Sequence, residues 1–77
     1  MKEILETIIL NLVYDKESVQ ITETENEKSI IFEVKVAQND MGKIIGKQGK
    51  LARSIRTVMK AVAGKERKKV GVEFIEE

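Results

Sequence analysis

Apolar residues recur along the first segment of the chain with the spacing of one helix face. Between Lys2 and Tyr14 they are separated by one, three, one and three positions, at Ile4, Leu5, Ile8, Ile9 and Leu12. This stripe predicts an amphipathic helix whose apolar face covers another element of the fold.

The period changes to two in the segment from Ser18 to Ala37. Apolar residues alternate with polar ones on both sides of the polar stretch 25–28, at Val19, Ile21, Ile30, Phe32, Val34 and Val36. Two alternating runs joined by a short polar stretch predict a β-hairpin.

Helical spacing returns after a turn signal at 38–40. Residues Gln38, Asn39 and Asp40 offer turn and N-cap chemistry, and Met41, Ile44 and Ile45 then follow at helical intervals. Because Gly46 and Gly49 interrupt this pattern, the predicted helix is short.

A second, longer helix is predicted from about Lys50 to Ala63. Its apolar stripe consists of Leu51, Ala52, Ile55, Val58, Met59 and Val62. Gly64 stands where a left-handed glycine commonly ends a helix, whereas Gly42 is interpreted as structural only. After the charged connector 65–69, alternation at Val70, Val72 and Phe74 predicts a last strand.

The predicted order is α-β-β-α-α-β, an α+β fold with three helices on one face of a three-stranded sheet. The 77 residues are enough for one domain, 1–77. A domain of this size buries only about 60% of the surface of its unfolded chain, so a partner or a second copy would add stability.

Composition removes most kinds of catalysis. The chain has no Cys and no His, so it lacks thiolates, disulfides, imidazole bases and the usual zinc ligands. It also has no apolar run long enough for a membrane helix and no secretory signal pattern, which leads us to expect a cytoplasmic protein without metal or cofactor.

Charge is strongly segregated, although the net charge of the whole chain is only +1. Residues 1–40 carry a net charge of −5, residues 41–69 carry +9, and the remaining residues carry −3. A basic block in a nearly neutral domain indicates a surface for a polyanion.

The basic block contains the sequence Gly46-Lys47-Gln48-Gly49 between the two predicted helices. Glycines let the backbone approach a ligand closely, and the first amides of the following helix lack partners at the positive end of the helix dipole. With Lys47 and Lys50 beside it, this loop is a candidate phosphate-binding site.

The run Ile44-Ile45-Gly46-Lys47-Gln48-Gly49 resembles the GXXG signature of KH domains. The predicted order of elements resembles the prokaryotic type II arrangement, and 40–50 resembles the stand-alone bacterial KH proteins of the KhpA family. Ala52 departs from many type I domains, which have a large aliphatic residue at this position. The resemblance spans essentially the whole chain.

The resemblance implies a groove for single-stranded RNA, with the loop on one wall and the edge of the sheet on the other. It also implies low sequence specificity, a role as RNA chaperone or post-transcriptional regulator linked to cell elongation, division and shape, and a homodimer or a complex with a KH protein of the KhpB (Jag/EloR) type. No small-molecule substrate or cofactor is implied.

The RNA-binding candidates fall into three groups: the loop, an apolar floor and a basic stripe along the second helix. They are Gly46, Lys47, Gln48 and Gly49; Ile44, Ile45, Ala52 and Ile55; and Lys50, Arg53, Arg56 and Lys60. Val34 and Val36 are weaker candidates for the sheet side of the groove.

Each group also has a plainer interpretation. Helical spacing makes Ile44, Ile45 and Ile55 more typical of a core than of a ligand floor. The two loop glycines are compatible with an ordinary turn, and the basic run 65–69 with a solvated loop. Because Tyr14, Phe32 and Phe74 are the only aromatic residues, base stacking is a poor candidate.

Three other classes of function are weighed against RNA binding. Two helices around a glycine turn could form a helix-turn-helix for duplex DNA, with Arg53, Ser54 and Arg56 facing the bases. The fold could also serve only for protein assembly. An enzyme is disfavoured, since Gly42 to Lys47 lacks the spacing of a phosphate loop and Gln48 replaces its Ser or Thr.

Overall fold

The computed structural model of the protein describes residues 1–75. Its elements in chain order are α1 (Lys2–Leu12), a 3-10 turn (Lys16–Ser18), β1 (Gln20–Glu25), β2 (Ser29–Lys35), α2 (Gln38–Gly64) and β3 (Lys69–Phe74). Among these described residues, no helix has the length and apolar character needed to cross a membrane.

The strands form one sheet in the order β1-β2-β3, so β2 is central and β3 is an edge strand. β1 pairs with β2 antiparallel, which confirms the predicted hairpin, and β3 pairs with β2 parallel. At the hairpin turn, the Asn26 side-chain oxygen accepts hydrogen bonds from the Lys28 and Ser29 amides at 2.9 and 2.8 Å.

One face of the sheet carries the core. Alternate residues of β2, namely Ile30, Phe32 and Val34, are buried together with Val72 of β3. They pack in one cluster with apolar residues of both helices: Leu5, Ile9, Ile44, Ala52, Ile55 and Met59. Both helices therefore cover the same face, as the period-two and helical patterns predicted.

The helix count differs from the prediction. The two segments expected as separate helices form the single element α2, whose backbone is non-helical only at Gly46, Lys47, Gln48 and Gly49. The order of elements is consequently α-β-β-α-β, with two α-helices. The break falls where the glycines predicted it, and it separates two helical parts within this 27-residue element.

The end of α2 corrects the prediction for Gly64. Gly64 remains in the helix, and the left-handed residue is Arg67, with φ of 59°. The Arg67 amide donates to the Gly64 carbonyl at 3.2 Å and the Lys68 amide to the Ala63 carbonyl at 3.2 Å, the pattern of a Schellman turn. An arginine therefore occupies the position that glycine usually takes.

Candidate nucleic-acid interface

The backbone of the GXXG loop has an unusual conformation. Gly46 is extended, with φ −60° and ψ 170°, and the next three residues are all left-handed. Their φ angles are 56° at Lys47, 64° at Gln48 and 70° at Gly49. The side chains of Lys47 and Gln48 are exposed. The loop therefore holds a cation and an amide group in solvent.

This conformation is costly for two of the three left-handed residues. A left-handed backbone costs a residue with a side chain about 1–2 kcal/mol, whereas glycine adopts it freely. Ile44 before the loop and Ala52 after it are both buried in the core. Strain of this kind is concentrated at functional sites, which makes the loop the first candidate for ligand contact.

A groove of about 500 Å³ lies beside the loop, between the two parts of α2. Its surface is mostly apolar, and lysines stand on both sides of it. The lining residues are Gly42, Lys43, Gly46, Lys47, Lys50, Leu51 and Ser54. The groove combines an apolar interior with three positive charges and the positive end of the dipole of the second part of α2.

Three of the predicted site residues, Gly46, Lys47 and Lys50, line this groove. The other four lining residues were not among the RNA-binding candidates: Gly42 was interpreted as structural, and Ser54 was named only in the helix-turn-helix alternative. A Cβ added at Gly42 or Gly46 would meet no atom within 4 Å, so the two glycines leave the groove open. Their spacing of four residues, with Gly46 directly after the first helical part of α2, is the sequence signal that could have indicated it.

The predicted apolar floor lies largely in the core. Ile44, Ala52 and Ile55 are only 1%, 4% and 2% exposed, and Ile45 is half-buried. Val34 is fully buried on the central strand, so its predicted place on the sheet side of the groove is wrong. Periodicity identified these residues as apolar-face positions, and the fold uses that face for packing.

The residues of the predicted basic stripe lie in different surroundings in the structure. Lys50 faces the groove, while Arg53 and Lys60 are exposed along the rest of α2. The Arg56 Nε donates to the Val72 carbonyl at 3.0 Å, and its guanidinium lies 5.5 Å from the centre of the Phe74 ring. Arg56 therefore joins α2 to the edge strand.

Most of the basic run 65–69 lies in the connector between α2 and β3. Lys68 forms an ion pair with Glu25 of the hairpin, and the Lys69 amide donates to the Lys28 carbonyl at 3.0 Å. These contacts fasten the connector to the hairpin, at the end of α2 remote from the loop.

Asp40 joins the first turn of α2 to the end of α1. Its buried carboxylate accepts hydrogen bonds from the Tyr14 and Asp15 amides, both at 3.0 Å. These two bonds lower the pKa of Asp40 below its ordinary value, because they favour the charged form. The predicted N-cap role is corrected: the cap position is Ala37, without a side-chain cap.

Lys43 makes a second connection between the same two elements. Its ammonium donates to the Leu12 carbonyl at 3.1 Å and lies 5.0 Å from the centre of the Tyr14 ring. Since Lys43 also lines the groove, the segment after α1 forms part of its surroundings. Sequence reasoning missed this connection because Leu12 and Lys43 are distant in the chain.

Comparison with known proteins identifies the family of this chain. A profile of the family described as KhpA/KhpB, KH domain, matches residues 2–74. The RNA-binding protein KhpA of Clostridium acetobutylicum is 57% identical over 75 residues, covering 97% of this chain and 100% of that protein. The RNA-binding protein KhpA of Chlamydia trachomatis is 44% identical over 77 residues, covering 100% of this chain and 99% of that protein.

The similarity extends to more distant bacteria. The RNA-binding protein KhpA of Aquifex aeolicus is 41% identical over 76 residues, covering 99% of this chain and 96% of that protein. No solved structure matched the chain. The chain belongs to the KhpA/KhpB family of KH domains. This confirms the resemblance seen in the sequence and the prediction that the protein is not an enzyme.

Proposed function

We propose that the protein binds single-stranded RNA through the loop 46–49 and the lysines of the adjacent groove. The observation that carries this proposal is the strained loop, which holds Lys47 and Gln48 in solvent beside Lys43 and Lys50. Relatives that match the full chain are named RNA-binding proteins, and KH domains clamp the backbone of about four nucleotides with this loop.

Affinity on this proposal comes mainly from phosphates. Lysine and amide donors at the loop contact the backbone of the RNA, which carries no sequence information, so specificity is low. If about four phosphates are neutralised, the logarithm of the binding constant falls with the logarithm of salt concentration at a slope near −3.

The cellular role and partners form part of the same proposal. A module that contacts few nucleotides binds weakly, so two grooves acting on one RNA would raise its effective affinity. The proposed assembly is a homodimer or a complex with a KhpB (Jag/EloR)-type protein in the cytoplasm. Such an assembly would act as an RNA chaperone or post-transcriptional regulator, with a link to cell elongation and division.

The test is a fluorescence-anisotropy titration with a short single-stranded RNA and a duplex DNA of equal charge, each at two salt concentrations. The test variant is Lys47→Asp with Gln48→Asp, which lowers the net charge by three. Both side chains are exposed, so circular dichroism should show an unchanged fold.

The control variant is Lys2→Asp with Lys28→Asp, which lowers the net charge by four at two exposed positions. Lys28 lies in the hairpin turn, where its carbonyl accepts a hydrogen bond from the Lys69 amide just after the connector that follows α2. The second part of α2, about 15 residues or roughly 22 Å long, runs between that connector and the loop. Generic charge repulsion would weaken RNA binding in both variants, whereas a site at the loop would weaken it only in the first.

Salt-sensitive RNA binding that is lost only in the loop variant supports the proposal. Equal losses in both variants, or unchanged binding in the folded loop variant, would contradict it. Stronger binding to duplex DNA would favour the helix-turn-helix alternative, and absence of any nucleic-acid binding alongside stable partner binding would favour an assembly role.

A further inference from the structure

The aromatic side chain of Tyr14 is 88% exposed in the segment after α1. The other two aromatic residues are unavailable to a ligand in this way, because Phe32 is fully buried and Phe74 is half-buried beneath Arg56. Exposed aromatic rings are the surfaces on which unpaired bases stack. Tyr14 therefore presents a free ring face near a basic surface.

The backbone beneath this ring is fixed. The Tyr14 amide donates to one oxygen of Asp40 and the Asp15 amide to the other, both at 3.0 Å. Because Asp40 belongs to the first turn of α2, the position of Tyr14 is tied to the helix that leads into the loop. A ring on an anchored backbone loses less conformational entropy when a ligand binds.

Lys43 connects the ring with the groove. Its ammonium lies 5.0 Å from the centre of the Tyr14 ring, and the same residue lines the groove beside Gly46. Three residues along a helix correspond to about 4.5 Å, so Lys43 lies close to the start of the loop. Ring, ammonium and loop thus form a continuous surface that could follow a nucleotide chain.

The fold gives no reason for a glycine at position 42. Gly42 lies in the helical part of α2, and a Cβ there would meet no atom within 4 Å. A glycine inside a helix costs about 1 kcal/mol relative to alanine, so its presence weakens α2 without easing any contact. The missing side chain does keep the groove open next to Lys43.

We propose that Tyr14 is a base-stacking platform of the RNA site and that the groove beside Gly42 receives the attached nucleotide. This extends the proposed function, on which it rests, by one nucleotide beyond the loop on the α1 side. It also revises the expectation that aromatic stacking is a poor candidate in this chain.

The first test compares Tyr14→Ala and Tyr14→Phe in the anisotropy titration with single-stranded RNA. Loss of one stacked base should weaken binding about tenfold in Tyr14→Ala, while Tyr14→Phe keeps the ring and stays within about twofold of the wild type. The slope against salt should not change in either variant, because no charge is altered. Ile4→Ala, at an exposed apolar position elsewhere on α1, is the matched control and should bind normally.

The second test uses intrinsic fluorescence. The chain has one Tyr and no Trp, so tyrosine emission reports on Tyr14 alone. Single-stranded RNA should quench this emission after correction for its absorbance, whereas inorganic polyphosphate, which has charges but no bases, should leave it unchanged. Equal quenching by both polyanions would overturn the proposal.

The third test fills the groove. Gly42→Leu should fold at least as stably as the wild type, since leucine is a better helix former and its Cβ would meet no atom within 4 Å, yet it should weaken RNA binding. Gly42→Leu with unchanged affinity would overturn the groove assignment. Wild-type affinity in Tyr14→Ala, with loss only in the loop variant, would overturn the stacking assignment alone. A wild type that binds no RNA would overturn the proposed function as well.

Discussion

Replacing both Lys47 and Gln48 with glycine should stabilise the protein while weakening its binding to RNA. Both residues have left-handed backbone angles, with φ of 56° and 64°. Glycine adopts this conformation without the steric contact between Cβ and the backbone that other residues incur. The double substitution therefore removes strain from the native state and removes the loop's charged side chain.

The expected gain follows from two opposing effects. Relief of the left-handed strain contributes about 1–2 kcal/mol at each position. The greater conformational freedom of glycine in the unfolded chain lowers the free energy of unfolding by about 0.5–1 kcal/mol at each position. The net gain for the double variant lies between about 0 and 3 kcal/mol and centres on about 1.5 kcal/mol. Since 1 kcal/mol shifts the Tm of a domain this small by about 4–8 °C, the central value corresponds to a rise in Tm of about 6–12 °C.

Thermal unfolding followed by circular dichroism measures this effect. Ala61→Gly is the control, because Ala61 is exposed inside the regular part of α2, where glycine should cost about 1 kcal/mol. The two variants should shift the Tm in opposite directions. A Tm below that of the wild type for the loop variant would contradict this expectation, since it would show that the loop is not strained at these residues.

Three further predictions concern other parts of the fold. Arg67→Gly should raise the free energy of unfolding by up to about 1 kcal/mol in denaturant titrations, because Arg67 has a left-handed backbone at the end of α2. A lower free energy of unfolding in this variant would contradict the left-handed conformation of Arg67. Ile55→Ala should lower it by about 2–5 kcal/mol, since Ile55 is buried in the core; a small change would contradict a packing role. The pKa of Asp40 is lowered in the folded state, so its carboxylate stabilises the fold above the ordinary pKa of 3.8, and this stabilisation is lost as the pH falls below that value. Asp40→Asn should therefore flatten the acid side of a profile of unfolding free energy against pH, and an unchanged profile would contradict this.

Local sequence patterns were sufficient for much of the fold. The hairpin and the last strand were predicted because alternation along each strand follows directly from burial of one sheet face. The break at 46–49 was also visible, since glycines punctuate a helical pattern. How the two helical parts on either side of the break pack depends on the whole fold, and a local pattern does not contain that information.

The end of α2 shows a different limit. Gly64 was the residue expected to adopt the left-handed conformation. However, Ala63 is only 1% exposed, and the helix continues through Gly64 before the chain turns. The turn then falls on Arg67, three residues later. Tertiary packing therefore fixed the position of the turn against the local preference of the residues.

The candidate site was predictable only where its residues are neighbours in sequence. Gly46, Lys47 and Lys50 were identified from the motif and its charge, and they line the groove. Tyr14 and Lys43 are brought together across the fold by contacts between α1 and α2, which one sequence does not reveal. Helical periodicity likewise could not separate core residues from a ligand floor.

RNA binding at the loop is best tested by an amide NMR titration of the isotope-labelled protein with a short single-stranded RNA. We expect the largest, salt-sensitive shifts at residues 46–50, with further shifts at Lys43 and Tyr14. Shifts confined to β1 or to the start of α1, with the loop amides unmoved at saturation, would contradict it.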